Sequence, residues 1–421
     1  MTIKGPKGTQ DFYGIRMERW KHIEKTLNRL MEIYGFQEIR TPVFESTDLF
    51  LRGVGDTTDI VDKEMYTFKD KGDRSITLRP EGTASVARAF IEHGLHQEAL
   101  PARYYYMGPM FRYSRPQTGR YRQFHQFGIE VLGTREPAAD AEVLEIIMKI
   151  FTTLGIQNLK LEVNSVGCPV CRPVHREALI EHLSANFENL CPTCQSRYEK
   201  NPLRIFDCKN EGCQSIIKEG PTITDHLCED CQSHFRLVLT YLDQNGVPYV
   251  LNKMMVRGLD YYSKTAFEVS AGREGAQSSI GGGGRYDGLI EELGGPELPG
   301  IGFAIGLERV LLTMEEQDAF HSMEKGLPMV YVANVSESDL PQALSLVRQL
   351  REAGIPAQGD TMARKLKNQF KYANKIHADY VITLGEDESA KEAYPLKNMD
   401  SGTEVIMPLP ALIKTLRGEG E

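Results

Sequence analysis

The run Tyr104 to Val131, YYYMGPMFRYSRPQTGRYRQFHQFGIEV, constrains the fold more than any other stretch. Two strand-like segments, Arg103 to Phe111 and Gln123 to Val131, flank a polar turn that holds Arg115, Arg120 and Arg122. Side chains along a strand alternate between faces. His125, Phe127, Ile129 and Val131 therefore share a face that reads as core. Phe124, Gln126, Gly128 and Glu130 share the other, where a gap at Gly128 would receive a small polar ligand. Arg112 shares a face with Met110 and Gly108. An antiparallel hairpin is the simplest arrangement, although Pro116 and Gly119 permit others. Guanidinium is planar, bidentate and permanently charged, so the arginines suit phosphate. A carboxylate on the same face suits a cationic group. Such a surface would bind an anion and a cation side by side, as an amino acid and ATP require. A solvated basic hairpin with one core face accounts for the same residues.

Before this run, Met17 to Tyr34 reads as an amphipathic helix stopped by Gly35. FQEIRTPVFEST alternates like a strand but contains Pro42, which lacks a ladder donor and favours an edge or a break. TLRPEGTASVARAF places Arg79, Glu81 and Thr83 where a strand turns into a helix, and Thr83 is positioned to cap it. After it, a helix over Glu142 to Leu154 precedes the strand LKLEVNSVG. MMVRGLDYYSKTAFEVS gathers Arg257, Asp260, Tyr261 and Tyr262, which would also suit a turn with a structural salt bridge. GGGGRYDGLI, Gly281 to Ile290, reads as a tight turn before a helix. It is not a phosphate loop of the GxxxxGK[ST] kind. In GIGFAIGLERVLLTM, a strand passing into a helix, Arg309 is a charge amid apolar residues and wants an anionic partner. Past Lys325, strands alternate with helices, suggesting a separate α/β domain. Its basic amphipathic stretch RKLKNQFKYANK reads as a solvated face or a polyanion contact.

All eight cysteines fall between residues 168 and 231, as CPVC, CPTC, CKNEGC and CEDC. Without an apolar leader at the N-terminus, such pairs favour metal or reduced thiols over disulfides. Paired thiolates at this spacing are the usual halves of tetrahedral zinc sites. Pro173 to Glu188 reads as a helix of about 24 Å, too long for one ion to span. A nested grouping follows: Cys168, Cys171, Cys228 and Cys231 at the base, and Cys191, Cys194, Cys208 and Cys213 at the tip. Four cysteines leave no open position, so neither site would be catalytic.

The hairpin resembles the second signature motif of class II aminoacyl-tRNA synthetases, and FRYSRPQTGRYRQFHQFGIE has the form of the bacterial-type histidyl-tRNA synthetase family. RGLDYY is similar to that family's distinguishing motif, and GIGFAIGLERV to the third class motif. The resemblance covers essentially the whole chain. It implies an α+β fold: an antiparallel-sheet catalytic core over 1–325, interrupted by a Cys-rich helical insertion over 166–235, then a C-terminal α/β anticodon-binding domain over 326–421. It also implies that the first motif, around Pro42, builds a homodimer interface. The implied activity is ligation of histidine to histidine tRNA through an adenylate, with ATP and Mg²⁺, in the cytoplasm. Glu81, Thr83, Gln126, Glu130, Tyr262 and Tyr286 would bind histidine. Arg112, Arg120 and Arg309 would bind ATP, and Arg257 and Arg112 would be catalytic. Arg115 and Gln117 would meet the tRNA acceptor end. Zinc in the insertion is inferred from spacing alone, because the cysteines are not general to the family.

Two other readings compete. A non-catalytic regulatory relative of ATP phosphoribosyltransferase resembles the same core but lacks the C-terminal domain. A zinc-dependent nucleic-acid module leaves the core motifs unexplained. A net charge of −9 argues against a globally basic nucleic-acid binder, and no run approaches eighteen apolar residues, so no membrane span is expected.

Overall fold

The computed structural model describes residues 2–419 except 55–59, 201, 257–258, 260, 273–278, 322 and 324–325. The chain divides into two compact units, Met1–Ser322 and Met323–Glu421. No helix among the described residues is long and apolar enough to cross a membrane.

The strands of the first unit are β1 (Gln37–Glu38), β2 (Phe44–Ser46), β3 (Tyr66–Lys69), β4 (Ser75–Leu78), β5 (Ala102–Phe111), β6 (Gln123–Leu132), β7 (Leu159–Ser165), β8 (Val250–Leu251), β9 (Ser263–Ala271), β10 (Ser279–Arg285) and β11 (Gly300–Gly306). Eight of them form one sheet in the order β1-β5-β6-β11-β10-β9-β7-β8. Its six central strands are antiparallel, and β1 and β8 add in parallel at the edges. The expected hairpin is β5–β6, with Tyr106 opposite Gly128 and Gly108 opposite Gln126. The break at Pro42 is real: β1 joins this sheet, whereas β2 joins a three-stranded sheet with β4 and β3.

One face of the large sheet carries the main core. Phe127, Ile129 and Val131 are fully buried there, packed with helices Ile15–Ile33, Pro137–Thr153 and Leu307–Glu316. His125 lies on that side too, edge-on to Trp20 at 5.0 Å between rings. Its backbone N–H donates to both carboxylate oxygens of the buried Glu308, at 3.0 and 2.9 Å.

The glycine run is not a turn. Gly281–Gly284 lie in β10, between β9 and β11 near the middle of the sheet. Glycine weakens a lone strand, but here neighbouring side chains fill the space its residues leave. A Cβ on Gly281 would strike Ile305 of the core. On the opposite face, Gly282 lies across from Ala304, Gly284 from Gly302, and Gly302 from Glu130. Residues this small make a shallow floor.

Between β7 and β8 the chain forms helices Cys171–Ser184, Pro192–Lys200 and Glu211–Lys218 around a small core of their own. Helix Glu229–Gln244 starts at the last cysteine pair and ends with Val238 and Leu242 in the main core, so the expected insertion end at 235 falls inside it.

The second unit is a five-stranded mixed sheet with buried Val330, Val332, Ile382 and Leu384, covered by helix Leu340–Glu352. The basic stretch is helix Leu366–Lys375; its Gln369 and Ala373 are buried, while Lys367, Lys371 and Lys375 are exposed.

Candidate active site

The glycine-poor edges of the shallow floor rise into a cavity of about 450 Å³. One end is acidic. Glu81 follows β4 and turns its carboxylate onto the start of helix Thr83–Glu92, accepting from the backbone N–H of Thr83 and of Ala84, both at 2.8 Å. Of the two residues readable as helix caps, Glu81 is the cap, and the Thr83 side chain does something else. Its hydroxyl donates to Glu130 at 2.7 Å. The other oxygen of Glu130 accepts from the Tyr286 hydroxyl. Gly302 is what allows this, because a Cβ there would strike the Glu130 carboxylate. The gap expected at Gly128 is closed: the Tyr106 ring fills it. The ligand space lies beside it, toward Gln126, whose Oε1 is buried with no hydrogen-bond partner among the described residues. A buried acceptor left unpaired costs free energy, so a ligand donor is wanted at that point. Tyr261 meets Tyr262 tilted and Tyr286 edge-on along the wall, with ring centroids 4.7 and 5.7 Å apart.

Burial pushes the Glu130 carboxyl up to about 8, against the hydrogen bonds from Tyr286 and Thr83, and the neighbouring Glu81 adds to the rise. Burial raises Glu81 as well, partly offset by its backbone hydrogen bonds. An acid with a raised pKa holds more protons folded than unfolded. Its contribution to stability is full below the unfolded value of 4.5 and is lost as pH climbs toward about 8. Ligand-free protein should thus lose stability between about pH 5 and pH 8, and Glu130→Gln should flatten that loss by a few kcal/mol at most. Urea unfolding of both proteins across this range checks it; parallel profiles would mean that Glu130 does not ionise differently on folding.

The other end is basic. Arg112 donates from Nε to the Pro80 carbonyl at 2.7 Å and lies over the Phe124 ring, 5.4 Å from its centroid. Arg309 donates to the carbonyls of Gly119 at 3.2 Å and Ser279 at 2.6 Å. Arg120 lines the same space. Burial lowers the pKa of Arg112 and of Arg309, and repulsion from Arg120 lowers both further. Arg112 and Arg309, held by neutral carbonyls with Arg120 beside them, call for an anion. Arg79, by contrast, is structural: it donates to Pro109 and Thr41 and fills the space over Gly108. Glu268, which the sequence did not single out, faces the cavity from β9, and its charge acts on Arg309. Alternation along TAFEVS puts it on the floor side, which was the available signal. Arg115 and Gln117 are exposed in the turn, where Gln117 and Arg120 bridge through backbone hydrogen bonds of 3.2 and 2.8 Å. Arg257 lies outside the described residues.

The cysteines group as the nested arrangement requires. Cys168, Cys171, Cys228 and Cys231 bring their sulfurs within 4.8 Å of one another, and so do Cys191, Cys194, Cys208 and Cys213. Sulfur separations of 3.6 Å (Cys168–Cys171), 3.8 Å (Cys168–Cys228) and 3.8 Å (Cys191–Cys208) match the edge of about 3.8 Å in a tetrahedron of 2.3 Å zinc–sulfur bonds. Backbone N–H groups donate to the sulfurs of Cys171 and Cys213, as thiolate ligands favour.

The family model for histidyl-tRNA synthetase matches residues 8–310, the whole of this site included. The chain belongs to the histidyl-tRNA synthetase family. An anticodon-binding domain model matches residues 329–419. A histidine–tRNA ligase of Desulforamulus reducens is 54% identical, covering 98% of each chain. One from Moorella thermoacetica is 53% identical over 99% of this chain and 98% of its own. The crystal structure of apo S. aureus histidyl-tRNA synthetase superposes with a TM-score of 0.83 at 41% identity, covering 99% of this chain and all of that one. Membership over both units leaves the regulatory-relative reading without support, since the C-terminal unit it would lack is present.

Proposed function

We propose that this cavity joins histidine to AMP and that the chain then transfers the histidyl group to histidine tRNA. A histidine carboxylate oxygen attacks the α-phosphorus of ATP, the bond to the β-phosphate oxygen breaks, and pyrophosphate leaves. The terminal adenosine hydroxyl of the tRNA attacks the acyl carbon and AMP leaves. The observation that carries this reading is one cavity lined at one end by the buried Glu81, with Glu130 held just behind its wall by Thr83 and Tyr286, and at the other by Arg112, Arg120 and Arg309. Glu81 and Thr83 would hold the ammonium, Gln126, Glu130 and Tyr286 the polar groups of the bound histidine, and Tyr262 the imidazole. Arg112, Arg120 and Arg309 would take the phosphates, with Arg257 at the α-phosphate as the family resemblance implies. Mg²⁺ comes with the nucleotide and neutralises phosphate charge; Glu268 is the carboxylate on the arginine side suited to hold it. Positioning and charge neutralisation supply most of such a reaction.

Each cysteine cluster would hold one structural zinc ion, about two per chain. The exposed lysines of helix Leu366–Lys375 would meet the anticodon stem. A homodimer would cover the first motif, where Val43 and Phe44 are exposed at 39% and 54%. The activity would be cytoplasmic, as the family resemblance implies.

Charging of histidine tRNA with labelled histidine tests the reading; no charging by folded protein with ATP and Mg²⁺ would end it. A sharper test separates the steps. Arg115 and Gln117 stand outside the cavity, so replacing both with alanine should slow charging by about tenfold, the worth of one or two lost base or phosphate contacts. Pyrophosphate exchange should stay within about twofold. If exchange falls as far as charging, the turn serves ATP.

A further inference from the structure

The two cysteine clusters differ in what they touch. The tip cluster is packed among residues of the insertion itself, such as Leu179, Leu183 and Phe206. The base cluster is stitched to Tyr262, on the cavity wall, and to Lys264 near the start of β9. Arg172 directly follows Cys171, and its guanidinium donates to the carbonyl of Tyr262 and, at 3.3 Å, to that of Val166. Lys264 closes the same block from the other side. Its backbone N–H donates to Gly167 at 2.8 Å, and its carbonyl accepts from Val166 at 2.7 Å. Its ammonium pairs at 2.8 Å with Asp230, which lies between Cys228 and Cys231. The Cys171 and Arg172 backbone N–H groups both donate to the Cys168 carbonyl, at 3.0 and 3.1 Å, so the sulfur cluster and the guanidinium move as one piece.

We infer that metal held by Cys168, Cys171, Cys228 and Cys231 locks a clamp whose jaw is Arg172, and that this clamp sets the position of Tyr262 and so the affinity for histidine. The inference rests on reading the clusters as zinc sites and the cavity as the histidine site. No covalent bond ties these cysteines together. Without an ion, the segment before Cys171 is held against that around Cys228 only by non-covalent ties among the described residues: the Lys264–Asp230 ion pair and the Cys228 N–H donated to the Cys171 sulfur at 3.1 Å. With four sulfurs on one ion, the start of helix Cys171–Ser184 is fixed, and Arg172 reaches Tyr262 from a rigid base. Arg172 is a positioning residue: it touches the backbone of a wall residue and not the cavity. The tip cluster reaches the cavity by apolar packing: Met254 and Val256 lie against its core, and Val256 lines the cavity, with no hydrogen bond from it to Tyr262 among the described residues.

The test uses full-length protein and reads zinc content, histidine binding by calorimetry, and both Michaelis constants in pyrophosphate exchange. Arg172→Ala should keep about two zinc ions. Its histidine KM should rise roughly tenfold, the loss of one charge-assisted hydrogen bond, with ATP KM within about twofold. Arg172→Lys should recover part of the loss. Cys171→Ser should lose about one zinc and copy the histidine effect, whereas Cys194→Ser, whose cluster meets the cavity only through apolar packing at Val256, should lose about one zinc and shift histidine affinity less than Cys171→Ser does. Where Cys171→Ser does not fold, chelation of folded wild-type protein, with zinc release and histidine affinity followed together, makes the same comparison. An unchanged histidine KM in Arg172→Ala, or equal rises for histidine and ATP, overturns the clamp. Native protein free of zinc overturns the zinc reading, and with it the metal lock, whatever Arg172→Ala does. Zinc present with no histidine response to its removal overturns the lock alone.

Discussion

Replacing Arg112 with alanine is expected to lower histidine-dependent pyrophosphate exchange by a factor on the order of 10²–10³ while the protein stays folded. The guanidinium is fixed before any ligand arrives: the Pro80 carbonyl holds Nε at 2.7 Å, and Phe124 lies beneath the plane. A donor aimed in advance at charge that grows in the transition state costs no reorganisation during reaction, which is why its loss weighs on rate. Burial lowers the pKa of Arg112, partly offset by Glu64 and Glu81, with a smaller contribution from Arg120, so a phosphate would replace solvation that burial has removed. Arg112→Lys keeps the charge and loses the planar fork, so it should fall between wild type and alanine. Far-ultraviolet circular dichroism and thermal unfolding establish that the fold survives. Exchange within about twofold of wild type in the alanine variant would remove Arg112 from the chemistry.

Glu130→Ala should raise the histidine KM by roughly 10- to 100-fold and leave the ATP KM within a few-fold. The carboxylate is 1% exposed and accepts the hydroxyls of Thr83 and Tyr286. Truncation leaves both donors buried without an acceptor and opens the pocket wall at the floor. Each such loss costs about 1–3 kcal/mol. ATP meets the opposite end of the cavity, so it should not register the change. Both constants come from the same exchange assay. Equal shifts in the two would take Glu130 out of the histidine end.

The hairpin was legible because alternation with one apolar face leaves a single workable register once that face is buried. Phe127, Ile129 and Val131 are buried on one side, and Glu130 lies on the other, behind Thr83, Tyr286 and Gly302 of the cavity wall, as the alternation required. The cysteine grouping was legible for a different reason: a helix between two pairs excludes their sharing an ion, and helix Cys171–Ser184 does separate them, though shorter than expected. What failed turned on contacts distant in sequence. The run Gly281–Gly284 looks like a loop from local preference, yet it is a central strand because Ile305, Phe303 and Tyr262 occupy the volume its residues lack. The gap at Gly128 could not be known to be full, since Tyr106 reaches it from the partner strand. Glu81 took the capping role from Thr83 because Glu130 claims the Thr83 hydroxyl from 47 residues away. The link from Arg172 to Tyr262 spans 90 residues and has no local signature at all.

The most direct measurement of the central claim is ATP–pyrophosphate exchange by the purified protein with each of the common amino acids in turn. A cavity that joins the buried Glu81, with Glu130 behind its wall, an unpaired amide oxygen and three tyrosine rings to an arginine cluster suited to phosphate predicts exchange with histidine and none above background with the others. Exchange with a different amino acid, or with none although the protein is folded and Mg²⁺ is present, would contradict it.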